Sequence, residues 1–379
     1  MNLDFNDEQK LIQETTRLFA RTELEQISTS LDNESDRAAL IANMQKLAAL
    51  GYMGINIKEE YGGADAGAIA FSLAMTEIAK VCAPTAVTVS INNLVCEIIQ
   101  AIGTEEQKKK YISKICSGEW SAGIFGVTGN CAEASDICAT AAQEDDHYIL
   151  NGSKSITYAP NACVFIVWAV TDNTVPLSQG VSCFLIEACT PGLHIDRRGG
   201  QVRPNTSMTN QLILTHCRVP QSALLGKLNQ GFNTSVTQLA GGRIGIGSLG
   251  LGIGLAAMMK ATWYANERSK YDQSQTFQTM LEHLDASHAE LEAARFLLMN
   301  AAYHKEQGRP FAKVAAMARM YAVKSANLAC KNALQMLERY GFTKDTSNKP
   351  PVRTPTINAD DDEIQRLIVS WDILQGLAV

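Results

Sequence analysis

Apolar residues recur at helical spacing through the first third of the chain. Leu11, Leu18 and Phe19 share one face of a segment that Asn6 or Asp7 can cap, and Glu8 suits its positive N-terminal end. Leu40, Ile41, Met44, Leu47 and Leu50 form a second stripe, stopped by Gly51. Phe71, Met75 and Ile78 predict a third helix with Pro84 shortly after its end, and 94–102 predicts a fourth that ends at Gly103. The run GTEEQKKKYI then opens a short helix, its acids in front and its lysines behind, as the helix dipole favours.

From about Ser121 the period shortens. Segments 148–150, 164–170, 181–186 and 212–214 are short and β-prone, separated by Asn-Gly, Asp-Asn and Pro-Gly turn signals, and together they read as an antiparallel β domain. After Gly231 long helical periods return over 256–268, 280–305 and 310–340, with a final helix from Ile364 onward. The order is helices, strands, helices, without internal repeat. It predicts an α+β protein of three lobes: an N-terminal helical domain (1–120), a middle β domain (121–230) and a C-terminal four-helix bundle (231–379).

Composition narrows the function. The 379 residues are 46% hydrophobic and 19% charged, ample for a large core and unlike a disordered chain. Lys and Arg total 33 against 39 Asp and Glu, so no basic surplus exists to coat nucleic acid. The ten cysteines show no CxxC spacing, and the N-terminus has neither a basic nor an apolar leader region, so reduced thiols in a cytoplasmic protein are expected. The uncharged stretch 244–259 falls short of the roughly 20 residues a membrane helix needs.

Local motifs exclude more than they identify. Residues 245–250 spell GxGxxG, but the preceding TQLAGGR is no strand and the glycines continue at 252 and 254. A helix made slim for close neighbours is therefore expected instead of a dinucleotide turn. His283 and His288 are five apart, not the i, i+4 of a zinc helix, and no metal site is expected. No GxSxG marks a nucleophile.

Longer stretches carry a resemblance. GINIKEEYGGADAG (54–67), FGVTGNCAEASD (125–136), LNGSKSIT (150–157), CRVPQSALLGKLNQGF (217–232), LAGGRIGIGSLGLGI (239–253), YANERSKYD (264–272) and EIQRLIV (363–369) resemble, in order, the acyl-CoA dehydrogenase family. That resemblance implies FAD, held between the β domain and the helices, and an acyl thioester beside the flavin ring. A carboxylate base takes the α-proton while the β-hydride leaves to flavin, and hydrogen bonds polarise the thioester carbonyl. By the same resemblance Phe125, Val127 and Thr128 open the flavin-contacting segment, and Ser135 near its end serves cofactor and substrate. Ile156 and Thr157 match the Ile-Thr whose hydroxyl approaches flavin N5. Arg268 and Gln278 match residues that reach FAD, the arginine through its pyrophosphate and usually across a dimer. Gln335 opens the segment matching the one that meets the partner's FAD. Arg243 matches an arginine near the substrate entrance.

The departures are specific. Counting back from Ile364-Gln365-Arg366, the family's catalytic glutamate falls on Ala359, and the alternative base position before the helix arginine holds Gly242. TEPxAGSD has become TGNCAEASD, and the QxxGG glycines have become Glu338-Arg339. Asp360, Asp361 and Asp362 read either as helix-capping acids or as a replacement base, with Asp360 the first choice. The resemblance thus implies an FAD oxidoreductase acting on an acyl thioester borne by CoA or by a carrier protein, the carrier being the guess. A homodimer or homotetramer and an unspecified electron acceptor follow. A catalytically inactive homologue acting as a binding or assembly subunit is the alternative.

Overall fold

A computed structural model describes residues 4–25, 34–125, 139–157, 162–196, 209–269 and 275–337. They divide into two compact units. One gathers the described parts of Met1–Asp36, Ala68–Ala86 and Arg243–Val379, and the other those of Arg37–Gly67 and Val87–Gly242.

The first unit is helical, containing α1 (Asp7–Phe19), α3 (Gly67–Val81) and the long helices α9 (Ala240–Arg268), α10 (Gln275–Glu306) and α11 (Ala312–Leu337). Asn6 caps α1 in a capping box with Gln9. The expected Leu11/Leu18 stripe points outward, those residues being 64% and 65% exposed. Thr16 and Ala20 are buried, with Gln13 half-buried beside them and Arg17 at the rim of this face. Polar anchors decide this. Gln13 and Arg17 both bond the carboxylate of Glu77 on α3. Glu77 is 2% exposed and also takes Lys80 at 2.9 Å.

The GxGxxG glycines lie within α9, as expected of a slim helix. A β-carbon on Gly247 would sit 2.5 Å from Leu298 Cδ2 and 3.3 Å from Arg319 Cα. Seven residues on, one at Gly254 would sit 2.7 Å from Leu291 Cδ2 and 3.0 Å from Ala326 Cα. The contacts advance by seven along α9 and α11 and retreat by seven along α10. The first two therefore run parallel and α10 antiparallel, in register with a heptad. Tertiary packing also begins α9 well before the expected residue 256.

The second unit begins with α2 (Glu34–Ala49), shared with the first, and α4 (Ala83–Ile102). Pro84 opens α4 instead of following α3, since a proline is tolerated in a first turn. Three short helices, α5 (Glu105–Gln107), α6 (Ser113–Cys116) and α7 (Leu177–Gly180), and α8 (Gly231–Gln238) complete its helical part. Thr104 and Gln107 form a capping box at α5.

Among the described residues seven strands form one sheet: β1 (Ser121–Phe125), β2 (Ala139–Glu144), β3 (His147–Thr157), β4 (Ala162–Val170), β5 (Val181–Glu187), β6 (Leu193–Asp196) and β7 (Thr209–Pro220). The order is β1-β4-β2-β3-β7-β6, with β5 also on β4. The sheet is mixed, which corrects the expected antiparallel domain: β1 and β2 each pair β4 in parallel. Hairpin arithmetic along the sequence missed these crossovers. β4 explains the burial. Phe165, Val167 and Ala169 join one apolar core, while Val164, Ile166 and Trp168 join a second with Ile98 and Ile99 of α4 and Ile112 and Ile115. The strand is thus buried on both faces.

Among the described residues α4 and α9 are long and apolar enough to cross a membrane. Their apolar windows are 61% and 72% buried within the protein, as core helices are. The cysteines at 82, 96, 116, 183, 217 and 330 are buried and unbonded to one another, Cys163 is intermediate and Cys189 exposed.

Candidate active site

Two strand ends of one sheet carry the described part of the expected flavin pocket. Phe125 closes β1, opposite Val167 of the parallel β4. The residue is 1% exposed and packs in the first apolar core. Ile156 and Thr157 end β3, opposite Asn210 and Thr209 of β7. A bulge between Leu150 and Gly152 sets the register of this pair upstream, and Asn151 within it accepts the His216 main-chain N–H at 2.8 Å. Val127, Thr128 and Ser135 lie outside the described residues, as do Asp360 and Ala359.

The remaining candidates belong to the helical unit. Arg268 ends α9, Gln278 is exposed in the first turn of α10, and Gln335 is exposed near the end of α11. Because α10 runs against the other two helices, all three share one end of the bundle. Arg243 stands at the other, in the first turn of α9. The 25 residues between Arg243 and Arg268 span about 37 Å at the α-helical rise.

Arg243 is 6% exposed, and its Nη1 has no hydrogen-bond partner among the described residues. Burial, and then the nearby Arg319, push its pKa down to about 10, so it stays charged at neutral pH. Arg319, 5% exposed on α11, was not anticipated. Its signal was an arginine set in the alanine stripe Ala315, Ala318, Ala322, a charge on an otherwise apolar face. Among the described residues no group of three His, Cys, Asp or Glu could hold a metal ion.

The donor chemistry fits a flavin dinucleotide. Strand-end main chain at β3 can offer hydrogen bonds to a ring system, the exposed amides of Gln278 and Gln335 suit a polar linker, and threonine at 157 and arginine at 268 are residue types that bind a flavin and a pyrophosphate.

Comparison with known proteins is consistent along the chain. Family models match in three places: "Acyl-CoA dehydrogenase, N-terminal domain" at residues 6–119, its middle domain at 128–217 and its C-terminal domain at 229–374. The short-chain specific acyl-CoA dehydrogenase of Clostridium acetobutylicum is 34% identical over 98% of this chain and all of its own. The structure of butyryl-CoA dehydrogenase from Megasphaera elsdenii superposes with a TM-score of 0.86 at 28% identity, covering 99% of this chain and 100% of that one. The prolyl acyl carrier protein oxidase AnaB superposes with a TM-score of 0.85 at 25% identity, covering 98% and 100%.

Proposed function

The chain belongs to the acyl-CoA dehydrogenase family, and from that premise we propose that it is an FAD-dependent oxidoreductase that desaturates an acyl thioester carried on a protein-bound pantetheine arm. The observation that carries the reading is the match of all three family domains in order, with 34% identity to a curated acyl-CoA dehydrogenase. The likeness to a carrier-protein oxidase supports the choice of carrier over free CoA.

FAD supplies a two-electron acceptor for the β-hydride. This chain's part is to hold the ring at the ends of β1 and β3 and to present the thioester with its α-proton facing a carboxylate. Asp360 is our choice for that base, in place of Ala359. Arg268 stands about 37 Å from Arg243 along the bundle, with Gln278 and Gln335 toward the same end, too far for Arg268 and Arg243 to serve one flavin–substrate pair. We therefore assign Arg268, Gln278 and Gln335 to the flavin of a second copy, which makes the working unit at least a homodimer. The lobes we assign are 1–120, 121–230 and 231–379, in a cytoplasmic protein.

The test is a visible absorption spectrum followed by anaerobic mixing with substrate. The purified protein is expected to be yellow and to bleach with carrier-loaded acyl groups faster than with the same groups on CoA. Equal or faster bleaching by CoA thioesters removes the carrier preference. A colourless protein that FAD does not reconstitute removes the enzyme reading and leaves a binding or assembly subunit. Full turnover by Asp360→Ala removes the base.

A further inference from the structure

The two buried arginines at the Arg243 end of the bundle have a consequence beyond family membership. Arg243 and Arg319 are each about 95% removed from water. They lie on facing helices, because a β-carbon on Gly247, one turn on from Arg243 on the same side of α9, would lie 3.3 Å from Arg319 Cα. They sense each other as like charges. At a pKa of about 10 Arg243 is not neutral at pH 7, so neutralisation does not resolve the conflict. Nη1 of Arg243 is a buried donor without a hydrogen-bond partner among the described residues, and Arg319 engages other groups. A buried, charged, unsatisfied guanidinium beside a second cation is costly unless an anion sits against it.

The surroundings limit what that anion can be. One turn away, a single added carbon at Gly247 would already lie 2.5 Å from Leu298. On α11, Ala315, Ala318 and Ala322 flank Arg319 in sequence, all without exposure. A tetrahedral, strongly hydrated dianion suits neither the tightness nor the dryness. A carboxylate is flat, singly charged and matched to the planar guanidinium fork.

We propose that Arg243 and Arg319 form a binding site for a carboxylate, brought either by the acyl group of the substrate or by a free small carboxylic acid. Where the acyl group brings it, the site deepens the thioester reading above and selects acyl chains that carry an acid beyond the thioester.

The two sources separate in one set of measurements on the full-length, flavin-loaded protein. The first arm is thermal stability with added formate or acetate, at fixed ionic strength against chloride. The parent is stabilised by the acid, whereas Arg243→Met is not. Without carboxylate the variant melts at or above the parent, because an apolar chain of similar length relieves the like-charge conflict. Arg319→Met provides the same comparison should Arg243→Met fold poorly. The second arm compares the hemithioester of a dicarboxylic acid with the matched neutral thioester. A kcat/KM preference of roughly 10- to 100-fold, lost in Arg243→Met, places the carboxylate on the substrate. Carboxylate-dependent stability without that preference assigns the site to a free acid. If carboxylates neither stabilise the parent selectively nor confer any preference dependent on Arg243, there is no such site. If no thioester bleaches the flavin but formate still stabilises the parent, the thioester reading fails and the carboxylate site stands.

Discussion

Replacing Gly247 by alanine sets two magnitudes of opposite sign against each other. Glycine within a helix is worth about 1 kcal/mol less than alanine, so propensity alone makes Gly247→Ala stabilising by that amount. Packing opposes it. The new methyl would stand 2.5 Å from Leu298 Cδ2 and 3.3 Å from Arg319 Cα. The leucine can rotate away at a cost, but the main chain of α11 can only shift. Overpacking a filled core costs about 1–3 kcal/mol, so the net expectation is a loss of roughly 0–2 kcal/mol.

Leu298→Ala supplies the control. Alone, this residue of zero exposure should cost about 2–5 kcal/mol on truncation. In the double variant the Leu298 clash is gone while the Arg319 contact remains, so the two losses should fall short of additive by about 1 kcal/mol. The assay is urea unfolding followed by far-UV circular dichroism, at one protein concentration because assembly shifts apparent stability. A Gly247→Ala protein more stable than the parent by about 1 kcal/mol, with strict additivity in the double variant, would refute the close three-helix approach.

Three further outcomes are expected. Burial alone would raise the Glu77 pKa, but the Arg17 hydrogen bond and the Lys80 charge overcome it and hold the pKa below its ordinary 4.5. The stability it contributes is present above the unfolded value and lost as pH falls through the folded one, so Glu77→Gln should lose roughly 1.5–3 kcal/mol at pH 7. Amides of α1 should then exchange faster, and unchanged α1 protection would count against the anchor. Thr104→Ala removes one half of the capping box at α5 and should cost about 1 kcal/mol in urea unfolding, with Thr104→Ser close to the parent. Among the described cysteines, exposed Cys189 should react with a thiol reagent in the native state well before Cys96 and Cys183. Burial holds both of these far above the usual thiol pKa, and mass mapping of a short labelling pulse would decide.

The sequence disclosed periodicity and order well, and direction poorly. Long helices and short strands were legible because their hydrophobic repeats differ. The slim helix at 245–254 was legible because no strand precedes its glycines. What failed was orientation. Leu11 and Leu18 satisfied a helical stripe, yet α1 turns its Thr16/Ala20 side inward, with Gln13 and Arg17 reaching from its rim to the buried carboxylate of Glu77, 60 residues beyond Arg17. The parallel pairing of β1 with β4 needed a crossover that no turn dipeptide announces.

The candidate site shows the same division. The resemblance supplied Arg268, Gln278 and Gln335 as separate matches, and only the antiparallel course of α10 brings them to one end of the bundle. It also supplied Arg243 as a residue of the substrate side. Arg319 sits 76 residues further on, where no local spacing couples the two. Their meeting depends on Gly247, whose missing side chain lets α11 come close enough to set a second guanidinium against the first. The glycine pattern that looked like a nucleotide motif thus has its consequence in charge: by thinning one helix it lets two buried cations approach in a dry interior, which an apolar stripe read along α11 alone conceals.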